Sequence, residues 1–216
     1  MVSRYTYARA SAASGVRSQD SVGVYERGDV LVVVVADGGG GMRRGDAASR
    51  SVVAVVESAV ADAQFALEDV RPWVDLFLAT DAGLVANRAG ETTGAVVVLG
   101  RRGFLGFSIG NSEAWVVTST AVDDLTVGQH TRERLGNRRG TLVSFERPPL
   151  AGVLLVATDG LFKHAAAPVI AGIARSGSVA QAADGLLELV RLRSGKLADD
   201  VTIVLVRPDD LQVRPS

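Results

Sequence analysis

The segment Val30–Ala36 reads VLVVVVA and runs directly into Asp37 and four glycines. This junction constrains the fold more than any other feature of the chain. An unbroken apolar, mostly β-branched run suits a strand covered on both faces. A carboxylate at the end of such a strand is costly unless something neutralises it.

The same arrangement recurs. Gly152–Ala157 (GVLLVA) is a second buried strand that leads to Asp159-Gly160, and Asp199-Asp200 immediately precedes a third, Val201–Val206. Asp-Gly is an ordinary turn pair, so each junction alone has a plain structural explanation. Gathered together, however, three such carboxylates would repel one another strongly, and a divalent cation would relieve them. A donor set of oxygens, with no cysteine and only two separated histidines (His130 and His164), favours Mg²⁺ or Mn²⁺ over zinc. Two such ions can activate a water for in-line attack at phosphorus. From the residues alone, turn and metal site both remain open.

Between these junctions the periodicity changes. Ala48, Val52, Val55, Val56 and Ala59 recur at helical spacing, predicting a helix over 45–63 with Asp46 in its first turn, where the helix dipole favours an anion. A second helix is predicted over 72–87, with Pro72 in its first turn. Segments 94–99, 103–109 and 113–118 read as strands joined by glycine-containing turns. Residues 127–149 are polar, carry Arg132, Arg134, Arg138 and Arg139, and are expected to form a long flap; that arginine group could dock an acidic, phosphorylated surface. Helices are expected at 165–175 and 178–193, and a frayed tail over 207–216. Strands joined by tight turns imply antiparallel sheets, not a doubly wound parallel one.

Several classes fall away. A length of 216 residues suits one domain spanning 1–216. A net charge of −1 provides no field for nucleic acid or an anionic membrane. The apolar runs are too short to span a bilayer and the N-terminal residues lack a signal-peptide core, so a cytoplasmic protein is expected. The absence of cysteine removes disulfides and any thiol nucleophile. Lys163 and Lys196 are the only lysines among 23 basic residues; the arginine bias suits a GC-rich, bacterial genome. Gly106–Gly110 fits G-x-S-x-G, but a nucleophile elbow needs a following helix, and here another strand is predicted.

The segment VVVVADGGGGMRRGDAAS resembles the signature of the bacterial metal-dependent protein phosphatases, the PPM or type 2C family, in which a buried strand enters DG-x-GG-x-x-x-G-[ED]-x-AS. RSQDS, ETTGAVVVL, GFSIGNSEAWVV, and LLVATDGLF with ADDVTIVLV match further family segments in the same order, over roughly residues 15–206. The resemblance implies an α+β fold, an αββα sandwich of two antiparallel β-sheets flanked by helix pairs. It implies two Mn²⁺ or Mg²⁺ ions, with Asp37 bridging both, the Gly38 carbonyl on the first, Asp159 and Asp199 on the second, and Asp20 approaching through water. A water held between the ions would attack phosphoserine or phosphothreonine of a partner protein, without a covalent phosphoenzyme. Asp20 and Asp37 are thus the expected catalytic carboxylates.

The departures from the family pattern are informative. The turn that usually carries a third-metal aspartate is here Gly110-Asn111-Ser112, so a third ion should bind weakly or not at all; Asn111 can also serve the turn alone, since asparagine tolerates left-handed backbone. The family's phosphate-binding arginine lies five residues before the first aspartate, where this chain has Gly15; Arg17, three residues before Asp20, is the substrate-binding candidate, with Arg9 and Arg4 as alternatives. The last motif is DDVT in place of DN-x-T. Short length, the Gly-Asn turn and the Asp-Asp ending resemble the small regulatory phosphatases of anti-sigma-factor antagonists. The alternative is a weakly active or inactive family member that binds a phosphoprotein and regulates it.

Overall fold

Alternation of small or polar residues with apolar ones marks two strands ahead of the valine-rich run: β1 (Tyr5–Ala12) and β2 (Asp20–Arg27). Sequence patterning assigned neither, because both mix small, polar and charged residues among their apolar ones. A computed structural model describes residues 4–39, 44–130 and 132–209. Gly40, Gly41 and the expected tail from 210 onward lie outside the described residues.

The chain continues through β3 (Val30–Asp37), α1 (Gly45–Ala61), α2 (Val70–Ala86), β4 (Gly94–Leu99), β5 (Phe104–Ile109) and β6 (Glu113–Val117). It then forms β7 (Val122–Asp124), β8 (Val143–Arg147), β9 (Val153–Ala157), the short α3 (Asp159–Phe162), α4 (Ala167–Arg175), α5 (Val179–Leu189) and β10 (Val201–Pro208). Two five-stranded sheets result, ordered β2-β3-β4-β5-β8 and β1-β10-β9-β6-β7. Neighbouring strands pair antiparallel in both.

Strand alternation sends successive valines of β3 into different layers. Leu31, Val33 and Val35 join Val97, Leu154, Val156 and Val204 between the sheets. Val32 and Val34 face the other way, with Val52 and Val56 of α1 and Trp73 and Phe77 of α2. On the far side, Leu155, Ile203 and Leu205 pack beneath Ile170, Ala174 and Leu186 of α4 and α5. The αββα sandwich expected from the sequence is the observed architecture, and it explains the unbroken apolar runs: central strands are covered on both faces.

Two expectations are corrected. The 127–149 flap is not wholly irregular, because Val143–Arg147 pairs with β5 as an edge strand. Nor does the last strand stop at Val206. Arg207 is buried, and its guanidinium donates to the carbonyls of Ala174, Ser176 and Gly177 at 2.7, 3.0 and 2.6 Å. It thereby satisfies carbonyls at the end of α4 that have no helical partner. Among the described residues, no helix is long and apolar enough to cross a membrane.

Trp73 joins α2 to the sheet beneath it. It is fully buried, donates from its indole nitrogen to the Leu67 carbonyl at 2.8 Å, and lies against Phe65 and Phe107. Trp73→Ala should destabilise the fold by about 3–5 kcal/mol, measured by urea unfolding; a loss below about 1 kcal/mol would contradict this packing.

Candidate functional site

The antiparallel register of β2 and β3 sets Asp20 opposite Asp37. Asp37 is fixed through its backbone: its N–H donates to the Thr93 hydroxyl at 2.9 Å, and its carbonyl accepts from the Thr92 hydroxyl and the Thr93 N–H, both at 2.8 Å. Beyond it, Gly38 passes so close to the start of α1 that a Cβ would lie 2.4 Å from the Gly45 backbone. Only glycine permits that approach. Gly160 repeats the device in the second sheet, where a Cβ would lie 2.0 Å from the Asp200 carbonyl. Asp159 and Asp199 are thereby drawn to the same end of the sandwich.

One hydroxyl ties the two sheets together at this end. Thr158 donates to Asp20 Oδ2 at 2.8 Å and accepts from the Thr202 N–H at 2.9 Å. Asp200 has a supporting role that the sequence did not reveal: its carboxylate accepts from the N–H and hydroxyl of Ser14 and from the N–H of Gln19, at 2.7, 2.8 and 2.6 Å. It holds the loop that leads into Asp20. Burial works against its charge, but these backbone N–H groups outweigh that and hold its carboxyl below the ordinary range.

The cluster is rich in uncompensated negative charge. Burial and the neighbouring Asp37 push the Asp20 carboxyl up to about 8, although Thr158 and Thr202 pull the other way. Burial, then Asp159, raise Asp37 to about 6 against the opposing Arg134. Glu113 at the start of β6 rises to about 7 through burial, with Asp124 and Asp159 nearby.

Two cations and an amide meet these carboxylates. Lys163, one turn beyond Asp159, contacts the Asp159 carboxylate and stands 3.7 Å from that of Asp199. Arg134 of the flap stands 3.9 Å from Asp37. The Asn111 amide donates to Asp159, and among the described residues its own buried carbonyl oxygen has no hydrogen-bond partner. Gly110, not Asn111, takes the left-handed backbone of that turn (φ 98°), so the Asn111 side chain serves the cluster.

Asp20, Asp37, Asp159 and Asp199 are thus brought together, with the Gly38 backbone beside Asp37. Arg17 is set apart: it is exposed on the loop before β2, and the charge it faces is Asp46. His130 and His164 are exposed, and Ser108, the serine of G-x-S-x-G, is buried and bonded to Ser112 and Gln129. Sequence reasoning missed Lys163, Thr158 and Glu113, each of which looks ordinary along the chain. For Lys163, the available signal was its i, i+4 spacing from Asp159.

The donor chemistry fits hard divalent cations. The acidic groups offer oxygen alone, and among the described residues the buried Asp20 Oδ1 has no hydrogen-bond partner. Among the described residues no three acidic or histidine side chains converge on one point as they stand; the Lys163 ammonium instead bridges Asp159 and Asp199.

A pH dependence follows from the raised carboxyls. Folded Asp20 and Asp37 hold protons that the unfolded chain, at an ordinary value of 3.8, has released. Stability of the metal-free protein must therefore fall as pH rises through about 6 and about 8. Thermal melts in chelator from pH 5 to pH 9 should show a declining Tm, and Asp20→Asn should flatten the upper part. A rising Tm over that range would contradict the assigned burial.

No protein-family profile and no curated protein sequence matches the chain. Solved structures do. The catalytic domain of the serine/threonine protein phosphatase PstP, in complex with two manganese ions, aligns with a TM-score of 0.77 at 23% identity, over 94% of this chain and 97% of that one. The Mycobacterium tuberculosis serine/threonine phosphatase PstP/Ppp gives 0.76 at 22% identity, over 94% and 97%. The serine/threonine phosphatase Stp1 from Staphylococcus aureus gives 0.80 at 18% identity, over 95% of each chain. This chain therefore has the fold of bacterial serine/threonine phosphatases across nearly its whole described length.

Proposed function

We propose that the protein is a metal-dependent phosphatase that hydrolyses phosphoserine or phosphothreonine on a partner protein, using two Mn²⁺ or Mg²⁺ ions. The observation that carries this reading is the placement of Asp20, Asp37, Asp159 and Asp199 at one end of the sandwich, with an Asp20 oxygen left without a hydrogen bond among the described residues. A fold shared with a phosphatase crystallised with two manganese ions supports it.

Bound there, the ions would supply positive charge for the phosphoryl oxygens and a water of lowered pKa. The protein's part is to hold them and to manage protons. Asp37, the Gly38 carbonyl, Asp159 and Asp199 would hold them. Asp20 keeps one oxygen on Thr158 and leaves the other free to receive a proton or a water hydrogen. Arg17, exposed on the loop before β2, meets the incoming phosphoprotein. The Gly-Asn turn and the Asp199-Asp200 ending support a reading as one of the small regulatory phosphatases of anti-sigma-factor antagonists, acting in cytoplasmic signalling.

A second reading has one observation in its favour. Lys163 and Asn111 both engage Asp159, so a divalent ion must displace or share those contacts. A weakly active phosphoprotein-binding regulator would result if it could not.

Turnover of a chromogenic phosphoester should require Mn²⁺ or Mg²⁺ and disappear with chelator. Asp37→Ala or Asp159→Ala should each lower kcat by several orders of magnitude. If both kept more than about a tenth of wild-type kcat, a loss under ~1.4 kcal/mol, the site would be misassigned. Asn111→Asp should steepen the dependence of activity on Mn²⁺ concentration, because a carboxylate there adds charge beside Asp159; an unchanged metal titration would count against that role.

A further inference from the structure

Arg134 differs from every other described arginine of the flap in how it is held. The next residue, Leu135, exchanges two backbone hydrogen bonds with Thr92, at 3.0 and 2.9 Å. Thr92 itself donates to the Asp37 carbonyl. On the other side, the Gly136 N–H donates to Asp81 at 2.6 Å. The backbone around Arg134 is therefore stitched to the strand end that carries Asp37. Arg132, Arg138 and Arg139 are exposed.

Its side chain is one-fifth exposed and points at the cluster, with one terminal nitrogen 3.9 Å from Asp37 Oδ2. That separation is too long for a hydrogen bond, and among the described residues the same nitrogen has no hydrogen-bond partner. A buried guanidinium N–H left unpaired is costly, so its position calls for an acceptor that arrives from outside. Lys163, the other cation at the site, is already engaged by Asp159 and Asp199.

A planar guanidinium matches the oxygens of a phosphoryl group in geometry and charge. The carboxylates around it would otherwise repel a phosphate monoester dianion. We infer that Arg134 is the phosphate-binding residue of this site, and that the flap delivers it to a phosphoryl oxygen on the Asp37 side. The inference rests on the phosphatase reading for its role in turnover, but phosphate binding can be measured without turnover.

The test uses the full chain with Mn²⁺ and inorganic phosphate as the probe, read by calorimetry, alongside kcat and KM for a phosphoester. Arg134→Ala should weaken phosphate binding by about tenfold or more and raise KM comparably, with a smaller change in kcat. Arg134→Lys should recover part of the loss, and Arg101→Ala, which removes an arginine paired with Asp29, should bind phosphate within about twofold of wild type. The Tm of metal-free Arg134→Ala should stay close to wild type, since removing an unpaired buried N–H offsets the loss of the long ion pair with Asp37. Phosphate binding by Arg134→Ala within about twofold of wild type would overturn the assignment, as would a fall in Tm that Arg134→Lys restores without restoring phosphate binding. Phosphate bound through Arg134 by a protein with no phosphoester turnover would sink the phosphatase reading and leave this one standing.

Discussion

Repulsion among Asp20, Asp37, Asp159 and Asp199 is the force that this end of the sandwich must withstand. The two sheets could bury their valines without placing acids at one end. With the acids there, burial and mutual charge push Asp20 and Asp37 well above the ordinary carboxyl range. A structure that accepts this cost needs a rigid frame to hold the groups and a source of positive charge to offset them.

The frame is built from backbone groups and from the hydroxyl and carboxylate side chains that bind them. Threonines at 92, 93 and 158 bond the strand ends to one another and across the two sheets. Gly38 and Gly160 let chain segments approach at distances that any Cβ would block. Asp200, next to a candidate ligand, spends its own charge on tethering the loop before Asp20. The acids are therefore fixed by groups that do not compete for the same ligands, which is what a preorganised site requires.

The positive charge within the chain is divided between two different cations. Lys163 sits on a helical turn beside Asp159 and bridges to Asp199. Its own burial disfavours the ammonium, but the hydrogen bond with Asp159 and the charges of Asp159, Asp199 and Asp37 outweigh that and raise its pKa. Arg134 arrives from the flap and makes a long ion pair with a nitrogen left unspent. One cation is committed to the carboxylates and the other is still available to an incoming anion.

The sequence by itself determined the valine-rich central strands, because a strand covered on both faces cannot carry polar residues. It also determined the acidic strand ends, and most helix and strand positions from 30 to 206. It could not show β1 and β2, whose half-covered faces mix small and polar residues, nor the edge pairing of Val143–Arg147 within the arginine-rich flap. Only the tertiary structure decided which basic groups face the acids. Lys163 is placed by one helical turn and Arg134 by a two-residue bridge to Thr92, while Arg17, near in sequence to Asp20, lies exposed outside the cluster. The physical reason is that burial patterns are written locally along a strand, whereas electrostatic partners are chosen by distances between segments far apart in the chain.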